Sequence, residues 1–220
     1  MKKIFIAFLA VIFTSVAANA EKRIGLSGAY TMFSSDGTET VKSSAQKNSK
    51  THDDEVIVPS IFVEFVNDSG VGFGLDFIPG SAELGSATNS RTDTDTDDAS
   101  DTAGNNKVGA ELTSHTTLYV LAPIRGGGAY LKAGLAMATI ETTETLATGT
   151  TYGNEDVHGI MIGAGVSRER GNGAFFRTEV TYTDYEEVTF NGSLDTDSVR
   201  NKIDGDVDAL AIRFSIGKSF

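Results

Sequence analysis

The chain has 220 residues, no cysteine and a net charge of −12. The absence of cysteine excludes disulfide staples, thiolate zinc sites and cysteine catalysis. A pI near 4.6 argues against nucleic acid as a partner, because phosphate binding needs a basic surface. A mean hydropathy of −0.11 excludes a helical membrane bundle.

Residues 1–20 read as a secretory signal peptide. Lys2 and Lys3 form a basic start, Ile4 to Val16 is almost wholly apolar, and Ala18-Asn19-Ala20 is a small-x-small cleavage site. The mature domain is expected to be 21–220. Past residue 20 no apolar run approaches the length of a membrane helix.

The mature chain alternates with period two. In chain order the alternating segments are 24–34, 56–66, 71–79, 110–122, 129–140, 158–167, 174–184 and 209–220. The last is the clearest. Leu210, Ile212, Phe214, Ile216 and Phe220 share one face with Lys218, and the opposite face is small or polar. Each segment holds about 10 residues; at about 3.3 Å rise and a tilt near 40° it covers roughly 25 Å, the height of an outer-membrane apolar band.

Connections alternate in length. Asn67–Gly70, Pro123–Gly128 and Arg168–Gly173 are short, whereas about 35–54, 81–109, 141–156 and 184–206 are long and polar. This layout predicts an all-β fold, an eight-stranded antiparallel up-and-down transmembrane β-barrel, with both termini on the short-turn side. A soluble β-domain is the rival; it would turn its apolar face inward. Here the bulky face is assigned outward and the Gly, Ser, Thr and charged face inward.

Six charges are then expected inside: Glu64, Asp76, Lys132, Arg177, Glu179 and Arg213. An eight-stranded interior is one that side chains can fill, so these charges are expected to pair. Aromatics near strand ends are candidate interface anchors: Tyr30, Phe33, Phe77, Tyr130, Phe175, Tyr182, Tyr185 and Phe220.

Catalytic and metal motifs fail on spacing. The run from Asp93 to Asp101 starts like a calcium loop, but the sixth and twelfth positions hold Asp98 and Gly104 where Gly and Glu are needed. Ser114 and His115 are adjacent, so in a regular strand they face opposite sides. His158 has Glu155 and Asp156 nearby in sequence, yet no Gly-x-Ser-x-Gly elbow or His-Glu-x-x-His pair is present. No catalytic residue, cofactor or metal ligand is assigned.

Several segments resemble the eight-stranded outer-membrane barrels of the opacity-type porin-like and OmpA transmembrane-domain family. They are Gly163-Ala164-Gly165-Val166, Arg177-Thr178-Glu179-Val180-Thr181-Tyr182-Thr183-Asp184-Tyr185, Ala129-Tyr130-Leu131-Lys132-Ala133-Gly134-Leu135, and the ending Phe214-Ser215-Ile216-Gly217-Lys218-Ser219-Phe220. The resemblance implies a bacterial outer-membrane location with lipid as partner. It also implies a role for Phe220 in the signal read by the barrel-assembly machinery. No peptidoglycan-binding domain is expected after the last strand.

The functional expectation is a non-catalytic outer-membrane barrel with a structural or surface role. The alternatives are a small porin-like diffusion channel, a surface adhesin, and a lipid A-modifying enzyme. Removing the leader takes the charge to −14, and the four long connections carry 21 acidic and 7 basic residues. The acidity is therefore confined to the outer side, where divalent cations are the expected partners and nucleic acid is not.

Overall fold

The structure is a computed structural model that describes residues 20–41, 46–91, 104–124, 126–146, 151–193 and 202–220. Residues 1–19 of the expected signal peptide, the run from Asp93 to Asp101 and Arg125 lie outside the described residues. Ten strands are described: β1 (Glu21–Val41), β2 (Gln46–Val66), β3 (Gly72–Phe77), β4 (Ser81–Arg91), β5 (Gly104–Pro123), β6 (Ala129–Thr145), β7 (Asn154–Glu169), β8 (Ala174–Tyr185), β9 (Val188–Asn191) and β10 (Lys202–Ser219).

They build eight staves. The hydrogen-bonded ring runs β1-β2-β3-β5-β6-β7-β8-β10 and closes through β1 against β10, all antiparallel. β4 continues the β3 stave after a break at residues 78–80, and β9 continues the β8 stave. Up to the level of Ile61, closure removes the free sheet edges that a membrane forbids. Among the described residues no helix is long and apolar enough to cross a membrane.

Three tight turns sit at one end. Asn67 shapes the first: its carboxamide Oδ1 accepts from the backbone N–H of Ser69 and of Val71, both at 3.0 Å. The third closes with the Gly173 N–H donating to the Arg170 carbonyl at 2.8 Å. Both described termini are at this end, and Phe220 and Lys22 exchange backbone hydrogen bonds there.

The opposite end differs from the expectation. Residues expected to loop out, 35–41, 46–54, 81–91, 104–109, 141–145 and 202–206, continue the strands instead. β1 and β2 stay in register from Glu21↔Val66 to Val41↔Gln46. The ladder pairs the backbone groups that would otherwise need water. These residues are rich in threonine, which suits a pleated surface.

The outer surface carries a belt of exposed large apolar side chains, among them Ile24, Leu26, Ile61, Leu131, Ile160, Ile162, Phe214 and Ile216. A contiguous exposed apolar surface of this extent needs an apolar solvent. Above the belt the inward and outward positions keep their parity, but the large apolar residues move from the outward set to the inward set. On β1, Met32 ends the outward apolar series and Phe33 points in; on β10, Leu210 points out while Ala209 and Val207 point in. Beyond the bilayer the outer face meets water, so apolar side chains turn inward, as in a soluble barrel. The interior is therefore polar only in part. Phe33, Val58, Leu84, Leu112, Ile140, Val157, Val188, Phe190 and Val207 form one apolar cluster at the outer end.

Strand parity also corrects the aromatic anchors, because Phe33, Tyr130, Phe175 and Tyr185 all fall on the inward positions of their strands. Phe33, Tyr130, Phe175 and Tyr185 are buried in the lumen, whereas Tyr30, Phe77, Tyr182 and Phe220 are exposed on the outside. Phe62 and Val66 fill the interior.

Candidate functional site in the lumen

The inward residues of each stave stack in layers. Near the short turns, Phe62 and Phe175 lie with ring centroids 6.2 Å apart. The guanidinium of Arg177 sits 4.6 Å from the Phe175 centroid and 5.5 Å from that of Phe62. Its two terminal nitrogens donate to the two carboxylate oxygens of Glu64, one of them at 2.6 Å. Tyr119 donates its hydroxyl proton to the same carboxylate at 2.7 Å. Glu64 is only 1% exposed. This bidentate fork is the geometry that lets a carboxylate leave water.

Beside it Lys132 donates to Glu179 at 3.1 Å and lies 4.0 Å from the Tyr119 centroid. One layer further out Arg213 pairs with Asp76. Ser60 donates to Asp76 at 3.0 Å and accepts from Arg213 at 3.1 Å. Ser27 and Ser60 join at 2.5 Å. All six charged residues named from the sequence are thus inside and form three ion pairs. Sequence alone did not assign the partners, because each pair joins strands distant in the chain. Tyr119, Ser27 and Ser60 were not singled out; their only sequence signal is their parity with the charged positions.

His115 faces inward above this network and meets the Tyr185 hydroxyl at 2.8 Å. The register of β5 on β6 shifts between Thr113 and Thr116, and Ser114 has φ of 53°. Ser114 is exposed while His115 is buried, so the two face opposite sides. His158 lies on the outer surface, where its Nδ1 meets Glu186 at 2.9 Å. Among the described residues no cluster of three or more His, Asp or Glu could hold a metal. Phe220 is 75% exposed at the short-turn end.

The ion pairs divide the lumen. Toward the short turns is a vestibule of about 270 Å³ beside Arg23, Tyr130 and Arg177. A space of about 40 Å³ lies between His115, Tyr185 and Arg213. At the outer end is a cup of about 230 Å³ lined by Leu84, Val108, Ile140, Val188, Phe190 and Ile203 among others.

The cup has one incomplete side. β2 pairs with β3 only from Ile61 to Val66, and β4 pairs with β5. Among the described residues no ladder joins the upper part of β2, residues 46–60, to β4. Pro59, which has no N–H to give, lies in this stretch. The break after β3 contains Pro79 and Gly80. The seam starts at the level of Ile57 and Ile61, both exposed within the apolar belt.

A closed antiparallel ring of eight staves with its apolar side outward decides the class. The chain is an eight-stranded β-barrel of the outer-membrane kind. No protein-family model matches the sequence, and no curated protein does either. The barrel is similar to solved structures. The outer membrane protein OprG from Pseudomonas aeruginosa matches with a TM-score of 0.57 at 15% identity, over 93% of this chain and 99% of that one. AlkL, solved in DMPC lipid bilayers, matches at 0.48 and 9%, over 92% and 90%. Neisserial surface protein A matches at 0.42 and 9%, over 90% and 97%. At these identities the likeness concerns the fold.

Proposed function

We propose that the barrel takes up small apolar molecules in its outer cup and passes them sideways into the outer leaflet, without catalysis. The observation that carries this reading is the apolar cavity of about 230 Å³ beside the unpaired β2–β4 seam. An apolar cavity near 150 Å³ already suffices for benzene. The cup thus suits a fused-ring or short-chain hydrocarbon-like molecule. The axial route is the poorer one: a hydrocarbon crossing it would have to displace three buried ion pairs. The same pairs weigh against a small diffusion channel for ions.

In this reading the acidic outer strands attract divalent cations around the cup, and Phe220 serves recognition by the assembly machinery. The purified barrel in detergent is titrated with the apolar fluorophore 1-N-phenylnaphthylamine. Saturable binding is expected, with loss in Phe190→Asp and in Leu84→Asp. No saturable binding by the wild-type barrel sinks the reading.

A further inference from the structure

If the seam is the exit, something must decide when it is open. The side of the cup at the seam is made by His52 of β2 and Gly85 of β4, both of which line it. The two strands share no ladder there, so side-chain contact alone closes the wall.

The contact is close. A Cβ on Gly85 would lie 2.3 Å from His52 Cδ2 and 2.7 Å from Nε2. The imidazole therefore occupies the space that any other residue at position 85 would fill. Gly85 is specified twice, since its φ is +145°, a conformation that side chains rarely adopt. The register of β4 on β5 also shifts between Glu83 and Gly85. This irregularity shapes the hollow opposite the ring.

The ring is held lightly. The His52 backbone is anchored, because its carbonyl accepts from Ser35 Oγ at 3.1 Å. Among the described residues none hydrogen-bonds its imidazole. A ring held by contact alone can leave the hollow by side-chain rotation, with the β1–β2 ladder intact.

We propose that His52 is the latch of the lateral opening. Seated on Gly85, the ring shuts the side of the cup above the belt; rotated away, it opens the cup into the upper end of the β2–β4 seam, which runs down to Ile57 and Ile61 in the apolar belt. The latch rests on the proposed uptake of apolar molecules, and it adds the residue that controls their release.

Two measurements separate the latch from that reading. The first needs no ligand. Spin labels at Ser49 and Thr88, one on each side of the seam, report its width in the full barrel in bilayers. His52→Ala is expected to lengthen or broaden the distance distribution, and His52→Gln, which keeps the bulk, to restore it. Identical distributions in all three overturn the latch whether or not a ligand binds. The second is stopped-flow release of bound 1-N-phenylnaphthylamine into the surrounding bilayer. His52→Ala is expected to speed release about tenfold, within the range by which off-rates vary among variants of one site. The chain has no cysteine of its own, so Ser49→Cys and Thr88→Cys joined by a short thiol linker form a unique tether across the seam that leaves His52 and Gly85 in place, and it is expected to slow release. Binding that persists with release indifferent to both changes removes the latch and leaves the cup standing. Unboiled gel mobility confirms that each variant has folded.

Discussion

Phe175 occupies the space that a side chain on Gly217 would need. A Cβ there would lie 2.2 Å from Phe175 Cζ and 2.7 Å from the Ile24 carbonyl oxygen. Gly25 stands directly across the β1–β10 ladder, and a Cβ on it would lie 2.3 Å from Phe62 Cζ. The two rings thus lie over the junction of the first and last strands, and Arg177 rests on both. Gly217→Val is expected to destabilise the barrel by about 1–3 kcal/mol, the usual cost of overpacking a filled core. Urea unfolding in detergent, followed by tyrosine fluorescence, measures it; unchanged stability sinks the assignment of these rings to the floor of the lumen.

Glu64 has Arg177 and Tyr119 as its buried partners. Arg177→Ala strands the carboxylate without its counter-charge. The expected loss is about 3–5 kcal/mol, because breaking a buried pair from one side leaves an uncompensated charge. The Arg177→Met, Glu64→Leu double variant removes both charges and should recover most of that loss. A double variant no better than the single one contradicts the pairing.

The wild-type barrel is expected to show no discrete ionic conductance in planar bilayers, because the three ion pairs fill the middle of the lumen. Removing the central pair with Asp76→Ala and Arg213→Ala together should create small, resolvable steps. Steady conductance in the wild type would falsify the closed-lumen reading.

Above the apolar belt, Asp208 pairs across the sheet with Ser34 and Asp184. Partial burial, and then the charges of Asp184, Asp206, Asp36 and Asp53, hold its carboxyl above the ordinary aspartate range. A raised carboxyl is protonated more readily folded than unfolded. It therefore costs stability above its folded pKa, and that cost is relieved as pH falls through this value. Asp208→Asn should stabilise the outer strands at neutral pH, and the gain should vanish in acid. Hydrogen exchange of β10 amides at both pH values measures this. Asp204 is shifted the other way, chiefly by hydrogen bonds from Lys202 and Thr189, so Asp204→Asn should loosen the β9–β10 pair at neutral pH only.

The staves, their order and their inward charges were legible because a strand has a strict period of two. Once one face is bulky from Leu210 to Ile216, the parity of Arg213 follows without any tertiary knowledge. The same rule explains the errors. Parity is continuous, but the side that is apolar depends on the solvent outside, and the solvent changes from lipid to water near Met32 and Leu210. Phe33 was read as an anchor for that reason. The adjacent pair Met32-Phe33, apolar on both faces, was the available signal.

By itself the sequence determined an eight-stranded antiparallel barrel, its outward apolar belt and the six charges inside it, since local alternation, turn residues and charge placement encode these one strand at a time. The tertiary structure alone decided which charges pair, where the lumen is blocked, and that β2 and β4 run side by side without a ladder. Those relations join residues far apart in the chain, such as Glu64 with Arg177 and His52 with Gly85. The physical reason is that pairing and packing are set by the curvature of the closed ring, which no single strand contains.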